Sequence, residues 1–474
     1  NKIDRPDSRI QEVLNEVYDM FIDLDATEEQ LDFPIVYAIA KDGIAKREME
    51  DEGKDLKPLF DMIIDNVPCP EGDAEAPLQT LISNIDYSEY IGRLAVGRIF
   101  AGTIKTGDSI SILGAEGEPR KTKVTTLYKI KGLDREEVTE ASVGDIIALS
   151  GMEGITIGDT VAGGEEPKAL ERIIVDEPTI SVVFSVNDSP FSGKDGKFVT
   201  SRNIKERLEK ELLYNVSIKV DFSRADAFKV MGRGELQIAI IIETMRREGF
   251  EMSVAMPETI IKEIDGKKHE PMEILFIDVP EEHVGVVTQQ LGVRKGKMTK
   301  MENNGHGRAR LEFRVPSRGL IGFRSQFLTD TRGTGLMNHL FDGYEPFHGV
   351  LTKRSSGALV ADRPGKSSTY ALFNLQPRGV LFIKETVQVY EGMIVGENSR
   401  TNDMDVNVTK EKKLTNMRAS GSDESMQLAP PRRLSLEDAI EFIREDELVE
   451  ITPENIRLRK RVLQANKRPK PQKD

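Results

Sequence analysis

Between Thr179 and Tyr344 one order of hydrophobic patterns occurs twice, and this repeat constrains the fold more than any other feature of the sequence. The first pass reads strand 179–186, helix 201–213, strands 216–222 and 228–231, helix 235–247 and strand 251–254. The second reads 272–279, 282–291, 297–303, 308–316, 320–329 and 335–344 in the same strand and helix order. A period of two and a period of 3.6 cannot exchange roles without turning their apolar faces to water, so each pass specifies a βαββαβ unit. Each unit also places a Gly-containing turn before its second helix, Gly232-Arg233-Gly234 and Ser317-Arg318-Gly319.

A chain of 474 residues has more than these two units to build, because a single core rarely serves beyond about 250–300 residues. Residues 1–72 read as α/β: helix 9–24 with Ile10, Val13, Leu14, Val17, Met20 and Phe21 at helical spacing, strand 33–40 and helix 56–67. The run Pro-Cys-Pro-Glu-Gly at 68–72 is a boundary signal. Residues 73–172 change to short β runs at 78–85, 93–100, 109–113, 123–130 and 146–150, with Gly-Asp turns at 107–108, 144–145 and 158–159. That spacing predicts a small closed β-barrel. The two repeats occupy 173–262 and 268–350 as ferredoxin-like domains. Residues 353–474 read as β-rich, with strands at 369–375, 379–383 and 393–397 and a polar segment at 409–432. Ser435 then caps a helix over 436–444, with Asp438 at the position where a capping box more often has Glu or Gln. The end is basic, Pro-interrupted and expected to fray. The fold class is multidomain α+β.

Charge is unevenly spread. The net charge is −14, yet residues 353–474 hold 22 Lys/Arg against 18 Asp/Glu, and 453–474 hold eight against two. An acidic body with basic arms permits local RNA contact while long-range repulsion limits indiscriminate association. The single cysteine, Cys69, excludes an internal disulfide and fits a reducing cytoplasm. The five histidines lack metal-ligand spacing, so no metal site is expected. No apolar run reaches the ~20 residues that span a bilayer, and no membrane partner is expected.

The chain opens Asn1-Lys2-Ile3-Asp4, an NKxD tetrad. Such an Asp accepts two hydrogen bonds from a guanine ring, which offers adjacent N–H donors where adenine does not. At the end of the next apolar strand, Ile39-Ala40-Lys41 stands where guanine-nucleotide switches carry a Ser-Ala-Lys/Leu loop whose backbone N–H reaches guanine O6. Ile39 replaces the expected Ser. No GxxxxGK[ST] occurs, so phosphate binding and catalysis are expected to lie ahead of residue 1, in a longer protein. This chain is expected to contain no catalytic residue, to bind no nucleotide appreciably and not to hydrolyse GTP.

The run from Ile91 to Asp108, with Gly92-Arg93, Gly97-Arg98, Gly102 and Lys105-Thr106-Gly107-Asp108, resembles the second domain of translational GTPases. Three further runs resemble signatures of the BipA/TypA family: Pro316-Ser317-Arg318-Gly319-Leu320-Ile321-Gly322-Phe323-Arg324, the segment from Leu414 to Gly421, and the acidic run from Glu445 to Pro453. The resemblance covers essentially the whole chain and identifies 1–72 as the C-terminal part of a GTP-binding domain. It implies a ribosome-stimulated GTPase acting in ribosome assembly or in translation under stress, using GTP/GDP and Mg²⁺ when full-length and monomeric off the ribosome. It assigns Asn1, Lys2, Asp4, Ile39 and Ala40 to the nucleotide base. It also assigns Lys410, Lys412, Lys413, Asn416, Arg418, Ser420 and Gly421 to rRNA or the tRNA acceptor arm. Basic and small polar residues suit phosphate contacts of that kind. Arg318 and Arg324 have two readings, rRNA-facing or flanking a helix. The alternative function is a nucleotide-independent RNA-binding scaffold for ribosome assembly; a separate hydrolase site has no nucleophile–base or metal constellation behind it.

Overall fold

The computed structural model describes every residue except 25, 89, 116–118, 304–306, 350, 352–353, 355, 412–426 and 470–474. The chain divides into two compact units. One comprises Asn1–Leu81, Gly97–Leu149 and Thr160–Leu170; the other comprises Ile82–Val96, Ser150–Asp159 and Glu171–Asp474.

In the first unit, helices Ile10–Asp23 and Lys57–Asn66 accompany a ladder of Tyr37–Ile39 and Ile44–Lys46. The expected strand over 33–40 shortens to Tyr37–Ile39, because Pro34 lacks the N–H a ladder requires. Phe33 instead lies against Tyr18 and Phe21, with ring centroids 5.1 and 5.4 Å apart. Ala45 is the one buried residue among the described residues of 1–67, and Ile64, Val67 and Phe60 stand open to solvent.

The β-rich segment that follows is held by antiparallel ladders. Thr160–Ala162 pairs with both Ser109–Leu113 and the start of Gln79–Ser88, and Leu127–Lys131 pairs with Ile146–Ser150 and Asp134–Val138. The expected strand over 123–130 is two strands, Arg120–Lys123 and Leu127–Lys131. All three Gly-Asp turns have one construction. Gly107, Gly144 and Gly158 take φ of +89°, +91° and +88°. Asp108, Asp145 and Asp159 each accept a hydrogen bond from the backbone N–H three residues earlier, at 2.8, 2.9 and 2.9 Å. The left-handed position needs Gly, and the carboxylate ties the turn shut, which is why that dipeptide recurs.

In the second unit the strands of the two repeats follow one order. The strands of the first lie in the order Lys219–Asp221, Ala227–Gly232, Ile180–Ser185, Met252–Ala255; those of the second lie in the order Lys297–Asn303, Arg308–Pro316, Lys267–Pro280, Leu336–Pro346. Numbered along the chain, both are 2-3-1-4 and antiparallel throughout, as a split βαβ pair requires. Helices Ser201–Glu211 and Glu235–Glu248 bury Ile204, Leu208, Ile238, Ile241, Ile242 and Met245 against Val182, Phe184, Phe228 and Val230.

The first repeat does not end at its own edge. Met252–Ala255 pairs with Glu447–Ile451, with Val254 opposite Val449, and the sheet continues through Ile456–Lys460, Met393–Asn398, Ala358–Ala361 and Met404–Val406. Two expectations for 353–474 are corrected here. Residues 369–375 form a helix, Thr369–Leu375, not a strand: Ser368 caps it by accepting the N–H of Ala371, and Ala371, Leu372 and Leu375 share one buried side. Helical burial overrides the β preference of Tyr370 and Phe373. The basic end is also partly built in, since Arg459 and Lys460 are buried on a central strand of the sheet. Ser435 caps helix Leu436–Phe442 in a complete reciprocal box with Asp438, so Asp serves there as Glu or Gln would.

Candidate functional site

The two halves of the expected base-recognition edge, 39 residues apart, are joined by one side chain. The Ala40 N–H donates to Asn1 Oδ1 at 3.0 Å, and the Lys2 N–H donates to the same oxygen at 2.8 Å. Ala40 begins a single helical turn, Ala40–Asp42, directly after the strand Tyr37–Ile39, which carries it to the position of Asn1. Lys2 adopts φ of +63°, a left-handed conformation that is unusual for a non-Gly residue and sharpens the turn after Asn1. Asn1, Lys2, Asp4 and Ala40 are exposed and Ile39 is half-buried, so the tetrad and loop stand at the surface. In this arrangement Asn1 holds the Ala40 N–H that the resemblance assigns to guanine O6.

The second candidate set is only partly within view. Lys410 is exposed, and its carbonyl accepts the Ser368 hydroxyl at 2.5 Å, so the start of the polar segment is fastened to the cap of helix Thr369–Leu375. Lys412, Lys413, Asn416, Arg418, Ser420 and Gly421 lie outside the described residues.

Several basic residues prominent in the sequence are engaged internally. Arg318 forms a two-pronged pair with the fully buried Glu270, one arm at 3.0 Å, and lies over the ring of Phe347. Its side chain is thus engaged within the fold; Arg324, by contrast, is exposed. At the basic end, Arg457 meets Glu450 at 2.8 Å, Lys460 meets Asp446 at 2.7 Å and Glu447 at 2.8 Å, and Arg468 meets Asp405 at 2.6 Å. Against the cost of burial, Glu447, Asp403 and Asp446 hold the Lys460 ammonium above its ordinary range. Sequence reasoning missed the partners because each pair joins separate elements, from 7 to 63 residues apart along the chain. Among the described residues, no helix is long and apolar enough to cross a membrane.

Comparison with known proteins follows the same segments. Residues 92–162 match domain 2 of elongation factor Tu, residues 267–355 the C-terminus of elongation factor G, and residues 356–465 the TypA/BipA C-terminal domain. The large ribosomal subunit assembly factors BipA of Salmonella typhimurium and Escherichia coli K12 are each 50% identical over 470 residues, covering 99% of this chain and 77% of theirs. That of Bacillus subtilis is 47% identical over 472 residues, again 99% of this chain and 77% of its own length. Identity at that level across three differently built segments leaves one assignment: the chain belongs to the BipA/TypA family of translational GTPases.

Proposed function

We propose that this chain is the ribosome-engaging body of a GTPase that acts in assembly of the large ribosomal subunit. In this reading Asn1, Lys2, Asp4, Ile39 and Ala40 contribute the guanine-facing edge of its nucleotide site, while rRNA or the tRNA acceptor arm meets Lys410, Lys412, Lys413, Asn416, Arg418, Ser420 and Gly421. The observation that carries the nucleotide edge is the Asn1–Ala40 hydrogen bond, which brings two sequence-distant motifs into one place. The residues present fit the base and not the phosphates, since no phosphate-cradling glycine loop occurs in the sequence.

Co-sedimentation with ribosomes across a salt series tests the RNA contact. The Lys412→Glu, Lys413→Glu, Arg418→Glu triple variant is expected to be released at lower salt than the parent chain, because each lost phosphate contact lowers the salt slope by about one. Equal release of the two proteins would remove the loop from the interface. Titration calorimetry with GTP is expected to show no sub-millimolar binding by this chain. Tighter binding would favour a site complete within these residues.

A further inference from the structure

Three separately built elements meet at Gly322. This residue stands at the N-terminus of helix Phe323–Asp330 with φ of +70°. Its N–H donates to Glu235 Oε2 at 3.3 Å, and Glu235 opens helix Glu235–Glu248 of the first ferredoxin-like domain. On the other side lies Glu441 of helix Leu436–Phe442, in the C-terminal domain. Its Cγ is 3.3 Å and its carboxyl carbon 3.5 Å from where a Cβ on residue 322 would stand. The Ser325 hydroxyl, one turn along, donates to Glu441 Oε1 at 3.1 Å. Ile321 packs on the apolar cluster shared by the two helices that carry these glutamates, through Ile238, Ile241, Ala439 and Ile440. Two carboxyls from two domains thus close on the first turn of a helix in a third.

Helix N-termini favour a negative charge, but two at close range repel, and burial raises the cost of both. The surrounding charges offset the pair only in part, through Arg294, which acts on both carboxyls. Arg294 commits one guanidinium nitrogen to the carbonyls of Gly319 and Ile321, at 2.9 Å each. Arg324 is exposed, His339 is bound to Glu273, and Asp438 adds a further negative charge on the helix of Glu441. Burial, and then the charge of Glu235, push the Glu441 carboxyl up to about 7. Burial likewise raises Glu235, against the pull of the Gly322 N–H and of His339, Arg294 and Arg324.

We propose that Glu235 and Glu441 form a protonation-dependent latch on the first turn of helix Phe323–Asp330, fastening the second ferredoxin-like domain to the first and to the C-terminal domain, and released when both carboxyls ionise. The sign follows from linkage. A carboxyl that binds its proton more tightly in the closed contact stabilises that contact at low pH. The stabilisation fades as pH rises from the ordinary range near 4.5 toward about 7.

Hydrogen exchange on the full chain, corrected for intrinsic rates, reads the latch through amides 320–327. Their opening constant is expected to rise roughly five- to tenfold from pH 5.5 to 6.5 and to level off above about 7. The strand Ile180–Ser185, remote from the latch, is expected to show no such slope. Glu441→Gln, which keeps a neutral hydrogen-bonding group, is expected to abolish the slope and leave 320–327 protected at pH 8. Glu235→Gln is expected to do the same, and it decides the matter if Glu441→Gln does not fold. A flat wild-type profile would overturn the latch. So would an unchanged slope in a folded variant, which would assign the proton to another group such as His339.

Discussion

The two βαββαβ repeats share a strand order and differ in what becomes of their edges. The last strand of the first, Met252–Ala255, is buried along its whole length and hydrogen-bonded on both sides, to Ile180–Ser185 and to Glu447–Ile451. In the second domain, Lys297–Asn303 is exposed at every residue and Leu336–Pro346 is half-open. One domain has been absorbed into a larger sheet; the other keeps its edges and one open face. Where the sheets fuse, buried ions replace the polar rim an edge would have. Glu251 accepts the N–H groups of Gly193, Asp195 and Gly196 at 2.7–3.0 Å, and Glu450 takes Arg457 and the Tyr390 hydroxyl. Topology therefore does not decide whether a domain stands alone; the polarity of its outer strand does.

The severest challenge to that contrast is Glu447→Ala. Glu447 is fully buried and serves Arg354 at 3.1 Å, Lys460 at 2.8 Å and the N–H of Arg444 at 2.9 Å. Removing it takes the carboxylate from Arg354 and one of three from the buried Lys460, with an expected loss of about 3–5 kcal/mol in urea unfolding. Because the sheet is continuous, exchange protection should fall together in Ile180–Ser185 and Glu447–Ile451. If the first strand kept its protection while the second lost it, the fused sheet would not be one cooperative unit.

A matched pair of phenylalanines sharpens the comparison at the level of faces. Phe228 in the first domain is 1% exposed under its helices, and Phe276 on the open face of the second is 41% exposed. Phe228→Ala is expected to cost about 3–5 kcal/mol and Phe276→Ala less than about 1 kcal/mol. Thermal unfolding of the two variants measures this, and comparable losses would mean that the open face is covered in solution.

Much of this was legible from periodicity alone. The strands and helices of both repeats were read within a few residues, because alternation and helical spacing report which face is buried. The Gly-Asp turns were legible for a local reason, a left-handed Gly followed by a carboxylate that reaches back three residues. Residues 369–375 were misread because Tyr, Ala, Leu, Phe and Leu fit a strand as well as a short helix, and only the Ser368 cap separates the two. The basic end was misread because its neutralising acids, Asp403, Asp446 and Glu447, come from separate segments of the chain. In the candidate site the NKxD tetrad and Ala40 were visible as motifs, but the Asn1 bridge between them is a tertiary contact that no local pattern announces.

The smallest expected effect tests the comparison through protons. All five histidines fall between residues 268 and 350, so apart from the junction at Glu235 the first domain has little that titrates near neutrality. His339, on the edge strand Leu336–Pro346, is hydrogen-bonded to the buried carboxylate of Glu273, which raises the imidazole above its ordinary 6.5. A group with a raised folded value contributes stability that is complete below its unfolded value. That stability is lost as pH climbs through the folded one. Protection of the edge strand should therefore decline from pH 6 to pH 8 while that of Ala227–Gly232 holds steady. In His339→Gln, which still offers Glu273 a donor but cannot titrate, the decline should vanish. Nuclear magnetic resonance titration of the His339 ring would supply the midpoint directly. A midpoint at or below 6.5 would mean that Glu273 does not hold the proton on the ring, and the second domain would then owe its pH response to the latch at Gly322 alone.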